Sequence, residues 1–253
     1  LRTLTGPCLG LLLTMPVLAA EPATQDDQTL YRAVDVAREM MSSQDIYDRI
    51  LAAGALSDIG DAQALVLLER CIGIDDIVIR RSAIDTLITG SHPNSINLLF
   101  KSASGNPEVL GLMAESLASI PRDDMGDLLV EALGNGSDFV KKHALQALVR
   151  SAGSAEDAAV RALVENANTS PVIRAYGQYT LMVGGDNAAR SAMLTAADES
   201  NADVREVAAV ALGLVDSKES KAKLGELAKE SDQRVALAAV ASKAALGDDD
   251  AIA

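Results

Sequence analysis

Apolar residues return along this chain at helical intervals. In the stretch Val204-Arg-Glu-Val-Ala-Ala-Val-Ala-Leu-Gly213, Val204, Val207, Ala208, Ala211 and Leu212 fall at spacings that line one face of a helix. The same pattern recurs on earlier segments when they are aligned by the closing leucine. Those leucines are Leu56, Leu87, Leu117, Leu148, Leu181 and Leu212, separated by 31, 30, 31, 33 and 31 residues. Eight positions earlier stand Asp48, Ile79, Val109, Val140, Ile173 and Val204. Four positions earlier stand Ala52, Ala83, Met113, Ala144, Gly177 and Ala208. A seventh unit opens at Val235 and drifts, with Lys243 in the leucine position. So regular a period means one supersecondary unit stacked in a row.

Each unit holds two helical stretches. Ser170 and Asn106 can cap the first helix, with Pro171 and Pro107 behind them at the first helical position. Ser137, Asp138, Asp203 and Asp232 also place oxygens where free N–H groups need acceptors. The exits carry Gly and Asp, as in Ile59-Gly60-Asp61, Gly184-Gly185-Asp186 and Leu246-Gly247-Asp248. Second helices are predicted at 62–71, 95–102, 125–133, 155–165, 188–197 and 220–230. One amphipathic pair cannot bury its apolar face alone, whereas stacked pairs share a continuous core. Before the repeats, Glu21–Gln28 is polar and predicts a frayed lead-in. Thr29–Met41 predicts a helix that caps the first unit. The organisation expected is therefore 21–42 as linker and cap, and 43–253 as repeats with the last one incomplete.

The first twenty residues read differently. Arg2 is followed by an uncharged, largely apolar run ending in Ala19 and Ala20. That order predicts a secretory signal peptide at 1–20, cut near Ala19 or Ala20. The apolar run is too short to span a bilayer comfortably. Cys8 precedes it, which is the wrong side for a lipid-attachment cysteine. The mature chain is expected in the periplasm or outside the cell, with no membrane span after cleavage.

Composition narrows the chemistry. The chain has 36 Asp and Glu against 22 Lys and Arg, a formal net charge of −14. That balance argues against nucleic acid, whose binding requires a basic surface, and against anionic membrane surfaces. Aromatic residues make up 2%, so the core must rest on Leu, Ile, Val and Ala. Cys71 is the one cysteine of the expected mature chain, which leaves no internal disulfide. Its default reading is a buried thiol. His92 and His143 form neither a His-Glu pair nor a His-x-x-x-His spacing, so no metal site is implied. Asp248–Asp250 lacks the alternating ligands of a calcium loop.

The pattern Val-Arg-x-x-Ala-x-x-Ala-Leu with a Gly-Asp turn, seen best at 204–216 and 173–186, resembles the HEAT-like repeats of phycobilisome lyases and of many bacterial scaffolds. The resemblance covers about residues 43–253. It implies an all-α, right-handed α-solenoid of six to seven two-helix units of roughly 31 residues, with the first helix of each unit on the concave side. It also implies no single function, because such folds carry many. The HEAT-repeat iron hydroxylases use repeated His-Glu dipeptides, which are absent here.

Two sets of residues stand out against this frame. Arg49, Arg80, Lys141, Arg174 and Arg205 recur beside the opening apolar position. They read as structural, bridging to an aspartate of a neighbouring unit, with Asp76, Asp138 and Asp203 as the candidates. The positions two and six after the opening residue lie on one face of the first helix. They hold Arg81 and Asp85, Gly111 and Glu115, Lys142 and Gln146, Ala175 and Tyr179, and Glu206 and Val210. A variable, mixed-charge stripe of this kind fits either a solvated face or a protein-binding one. The partner-binding candidates are Arg81, Asp85, Lys142, Gln146, Tyr179 and Glu206, with Tyr179 the best anchor. The function expected is an exported scaffold holding a protein or peptide, with no cofactor and no catalytic set. The alternative is a lyase-like or chromophore-handling accessory, resting on the resemblance and on Cys71. The seventh unit ends without its second helix. Either the sequence is part of a longer chain, or a partner or a second copy covers the open end by association.

Overall fold

The computed structural model describes residues 25–150 and 156–247. The expected signal peptide, Asp248–Asp250 and any second helix of the seventh unit lie outside these residues. Among the described residues the chain forms fourteen α-helices and no strand. Helix α1 (Gln25–Met40) precedes six helix pairs. These are α2 (Ile46–Ser57) with α3 (Ala62–Gly73), α4 (Ile77–Thr89) with α5 (Pro93–Ala103), and α6 (Pro107–Ser119) with α7 (Gly126–Asn135). Then follow α8 (Asp138–Arg150) with α9 (Asp157–Glu165), α10 (Pro171–Val183) with α11 (Asn187–Ala196), and α12 (Ala202–Leu212) with α13 (Lys218–Leu227). Helix α14 (Gln233–Ala245) opens the seventh unit. Helix α1 is described from Gln25 onward. The cap docks on α2 through Ala37, with Val34 and Met40 against the core.

The aligned positions form the core. All six closing leucines are buried, as are Ala52, Ala83, Met113, Ala144 and Ala208. Gly177 takes the same small-residue position in α10. A Cβ there would stand 2.6 Å from a methyl of Val164, so glycine permits the close approach of α9. A second glycine, Gly111, faces Val140 and lets α6 and α8 pack closely.

The Gly-Asp turns work in two steps. Gly60 has φ +80 and Gly185 φ +96, a left-handed conformation that suits glycine. The Asp61 N–H donates to the Leu56 carbonyl and the Gly60 N–H to Ser57, a Schellman closure of α2. Asp186 and Gly185 repeat it on Leu181 and Met182. The same aspartates then open the next helix. The Asp61 carboxylate accepts from the N–H groups of Gln63 and Ala64, and that of Asp186 from Ala189. Ser170, Asn106, Ser137 and Asp232 cap as expected. Asp203 does not: Asn201 caps α12 and accepts from the Asp203 N–H.

Three of the recurrent cations, Arg80, Arg174 and Arg205, make structural contacts, and their partners differ from those expected. Arg80 donates to the carbonyls of Ile72 and Ile74, Arg174 to those of Asn166 and Thr169, and Arg205 to those of Glu199 and Ser200. Each guanidinium thus satisfies backbone at the exit of the preceding second helix. The acidic partners are Glu108 for Arg80 and Glu230 for Arg205. Asp76 instead caps α4, Asp138 stands in the first turn of α8, and Asp203 pairs with Arg234. The Asp76 carboxylate is drawn to the free N–H groups at its own helix start.

First helices α2, α4, α6, α8, α10, α12 and α14 pack in an unbroken row, each on the next. Second helices meet closely only at some steps, such as α3 with α5 and α7 with α9. Tight contact in one row and looser contact in the other curves the stack, with the first helices inside.

Candidate binding groove

The inner row carries an open groove of about 650 Å³ across α6, α8, α10 and α12. Its lining includes Glu115, Lys142, Gln146, Tyr179, Glu206 and Val210, all from the stripe of free positions. Four of the six sequence candidates, Lys142, Gln146, Tyr179 and Glu206, therefore come together here. Arg81 and Asp85 do not line this groove. They line a neighbouring hollow with Tyr47 and Val78, between α2 and α4. Gly111 and Ala175, which share the stripe's register, are buried between adjacent inner helices. At that position only a long side chain reaches the open face; a small one stays in the seam.

The side chains at the groove are held in distinct ways. The Arg81 guanidinium donates to Glu115 at 2.6 Å and holds its carboxyl below the usual carboxylate range. The Ser116 hydroxyl donates to Asp85. Both sequence candidates on α4 thus serve as links to α6. At the other end, Arg234 of α14 lies 3.3 Å from Glu206 and 2.7 Å from Asp203. Between these pairs, the Lys142 ammonium sits 5.4 Å from the Tyr176 ring centroid, a distance that allows cation–π attraction. Arg150 donates to the Ala118 carbonyl at 3.0 Å. Nδ1 of His143 is 2.8 Å from the Phe139 carbonyl, which makes that nitrogen the donor. Burial pushes the Tyr179 hydroxyl above its ordinary range, opposed by Arg150. Val149, Val207 and Val210 supply the apolar part of the wall.

Arg150, Tyr176 and His143 were not among the sequence candidates. Arg150 had a signal. Lys142, Gln146 and Arg150 are spaced four apart on α8, so extending the stripe by one turn reaches it. Tyr176, three residues before Tyr179, reads from the sequence either as its helper or as core, and the structure puts it in the lining; His143 flanks the stripe and joins it only once neighbouring helices are in place.

Elsewhere, Cys71 is buried, and burial pushes its thiol up. His92 caps α5, its Nδ1 accepting from the Asn94 N–H. Among the described residues no group of three His, Cys, Asp or Glu could hold a metal ion, and no helix is long and apolar enough to cross a membrane.

Comparison with known proteins gives the fold its place. One solved structure, the complex of CpcE and CpcF of phycocyanin lyase from Nostoc sp. PCC7120, aligns over 93% of this chain and 91% of that one, with TM-score 0.50 and 14% identity. The chain folds as a HEAT-like α-solenoid. At that identity the likeness establishes the fold alone. Human deoxyhypusine hydroxylase aligns over 87% of this chain and 90% of its own, with TM-score 0.36 and 18% identity. A designed armadillo repeat protein in complex with the peptide (KR)4 covers 88% and 95%, with TM-score 0.37 and 16% identity. Neither overlays closely enough to inform the site. No family model and no curated protein matches the sequence.

Proposed function

We propose that this solenoid is an exported scaffold that holds a partner polypeptide in the groove of its inner face. One observation carries the reading. Four successive units each present a different side chain from the same register to one open trough, and the Tyr179 ring stands in its lining. A trough of that form suits an extended or helical segment crossing several units, with an aromatic anchor near the middle. The alternative, a chromophore-handling accessory, has fold likeness behind it but weak chemistry. Its one residue, Cys71, is enclosed by the first units, and its thiol is held toward the protonated, unreactive form.

The test is comparative capture. Wild-type protein and the variants Tyr179→Ala and Val210→Asp are each offered extracytoplasmic extract, and retained proteins are identified by mass spectrometry. A species held by wild type and lost from both variants supports the groove. Retention of the same species by all three sinks it. Export is tested on the source cells: an N-terminus at Ala20 or Glu21 on protein from the extracytoplasmic fraction is expected, and an uncleaved cytoplasmic product would refute it.

A further inference from the structure

The two carboxylates of the groove each face a cation outside it, Glu206 sharing its own with Asp203. Arg81 reaches Glu115 from α4, and Arg234 reaches Glu206 from α14. The two cations of the groove differ. Lys142 faces only the Tyr176 ring, and Arg150 meets only a backbone carbonyl. Neither has a carboxylate partner among the described residues, although the chain carries 36 acidic groups against 22 basic ones. These two cations share one trough with the Tyr179 hydroxyl. Lys142 and Arg150 lie on the same face of α8, two turns apart, so a ligand lying along that helix meets both.

We propose that the groove's occupant is an acidic peptide segment of a partner protein, its carboxylates seated on Lys142 and Arg150 and its apolar groups against Tyr179, Val207 and Val210. This rests on the reading of the groove as a polypeptide site. An arginine fork can take a carboxylate through two N–H groups, and a lysine held over an aromatic ring offers a point charge. The arginines outside the groove have a defined part. By pairing with Glu115 and Glu206, they lessen the like charge that an incoming carboxylate meets.

The experiment measures fluorescence anisotropy of labelled oligoglutamate and oligolysine peptides at low ionic strength. Wild type is expected to bind oligoglutamate more tightly, with binding weakened by salt. The double variant Lys142→Glu/Arg150→Glu is expected to lose about tenfold or more in oligoglutamate affinity. Arg81→Gln and Arg234→Gln, which touch no groove cation, are expected to weaken the same probe by releasing Glu115 and Glu206. Circular dichroism checks that each variant keeps its helices. Oligolysine binding wild type as well as oligoglutamate does, or oligoglutamate indifferent to the double variant, overturns the assignment. If both probes bind equally and Tyr179→Ala weakens both, the acidic occupant is wrong and the polypeptide groove stands. If neither probe binds, and capture from extract is unchanged by Tyr179→Ala, both readings fall.

Discussion

Arg205 turns one edge of its guanidinium to the Glu199 and Ser200 carbonyls and another to both oxygens of Glu230. The site is mostly enclosed, so these charge-assisted bonds are worth more than a surface pair. Arg205→Ala is expected to destabilise the protein by roughly 2 kcal/mol in urea unfolding. Arg205→Lys is expected to recover only part of that, because an ammonium cannot span carbonyls and carboxylate together. Full recovery by lysine would mean that charge alone matters there. Glu115 gives a pH-dependent counterpart. Its folded carboxyl titrates below its unfolded value, chiefly through the Arg81 hydrogen bond. The stability it adds is therefore present above the unfolded pKa, about 4.3, and is lost as pH falls through the lower folded value. Glu115→Gln is expected to cost less than about 1 kcal/mol at pH 7, since the pair is partly solvated. The cost should vanish at strongly acidic pH, and a cost independent of pH would refute the ion pair. At this scale the sequence was partly legible. The repeated arginines declared a structural role by their register, but their carbonyl acceptors belong to the preceding helix, whose position only the packed pair defines. Lys142, Gln146, Tyr179 and Glu206 were found because a helix face can be read from spacing. Arg81 and Asp85 share that spacing, and only the structure shows them occupied by Glu115 and Ser116.

Helices were the most legible level, because each carries both its apolar stripe and its stop signal. The leucine register and the Gly-Asp turns placed twelve helices within a few residues of where they stand. Caps were less certain. Asn201 outcompeted Asp203 at α12, and His92 capped α5 without resembling a preferred cap. Contacts between helices left subtler traces. Gly177 occupies a register that holds Ala or Met elsewhere, and the reason is the approach of Val164 on α9. Gly177→Val should force the α9–α10 pair apart and cost about 1–3 kcal/mol by overpacking, read as a lowered urea midpoint with unchanged slope. A neutral or stabilising effect would show that α9 can shift freely. The proximity of Gly177 to Tyr176 and Tyr179 adds a second readout. Displacing α10 should also weaken oligoglutamate binding, whereas a purely local void-filling change should not.

Curvature and the groove emerge only when the units stack. No single repeat contains Glu115, Lys142, Tyr179 and Glu206, which come from four successive inner helices. The sequence shows a stripe on each helix, but whether those stripes converge depends on how tightly neighbouring helices approach, and on Gly111 and Ala175 receding into the seams. The same architecture governs how the molecule comes apart. Each unit touches mainly its neighbours, so the continuous core is held together by a chain of local interfaces. Leu212→Ala removes a fully buried side chain from α12 and should cost about 2–5 kcal/mol locally. Hydrogen exchange followed by mass spectrometry is then expected to show lost protection across α12, α13 and α14, with α2 to α4 unchanged. Leu87→Ala should produce the mirror result, loosening α2 to α5 and sparing α12 to α14. Because the groove straddles α6 to α12, Leu212→Ala should weaken oligoglutamate binding more than Leu87→Ala does, at equal thermodynamic cost. Uniform loss of protection in either variant would mean that the units unfold as one body. In that case the groove would be held by the whole molecule rather than by the four units that line it.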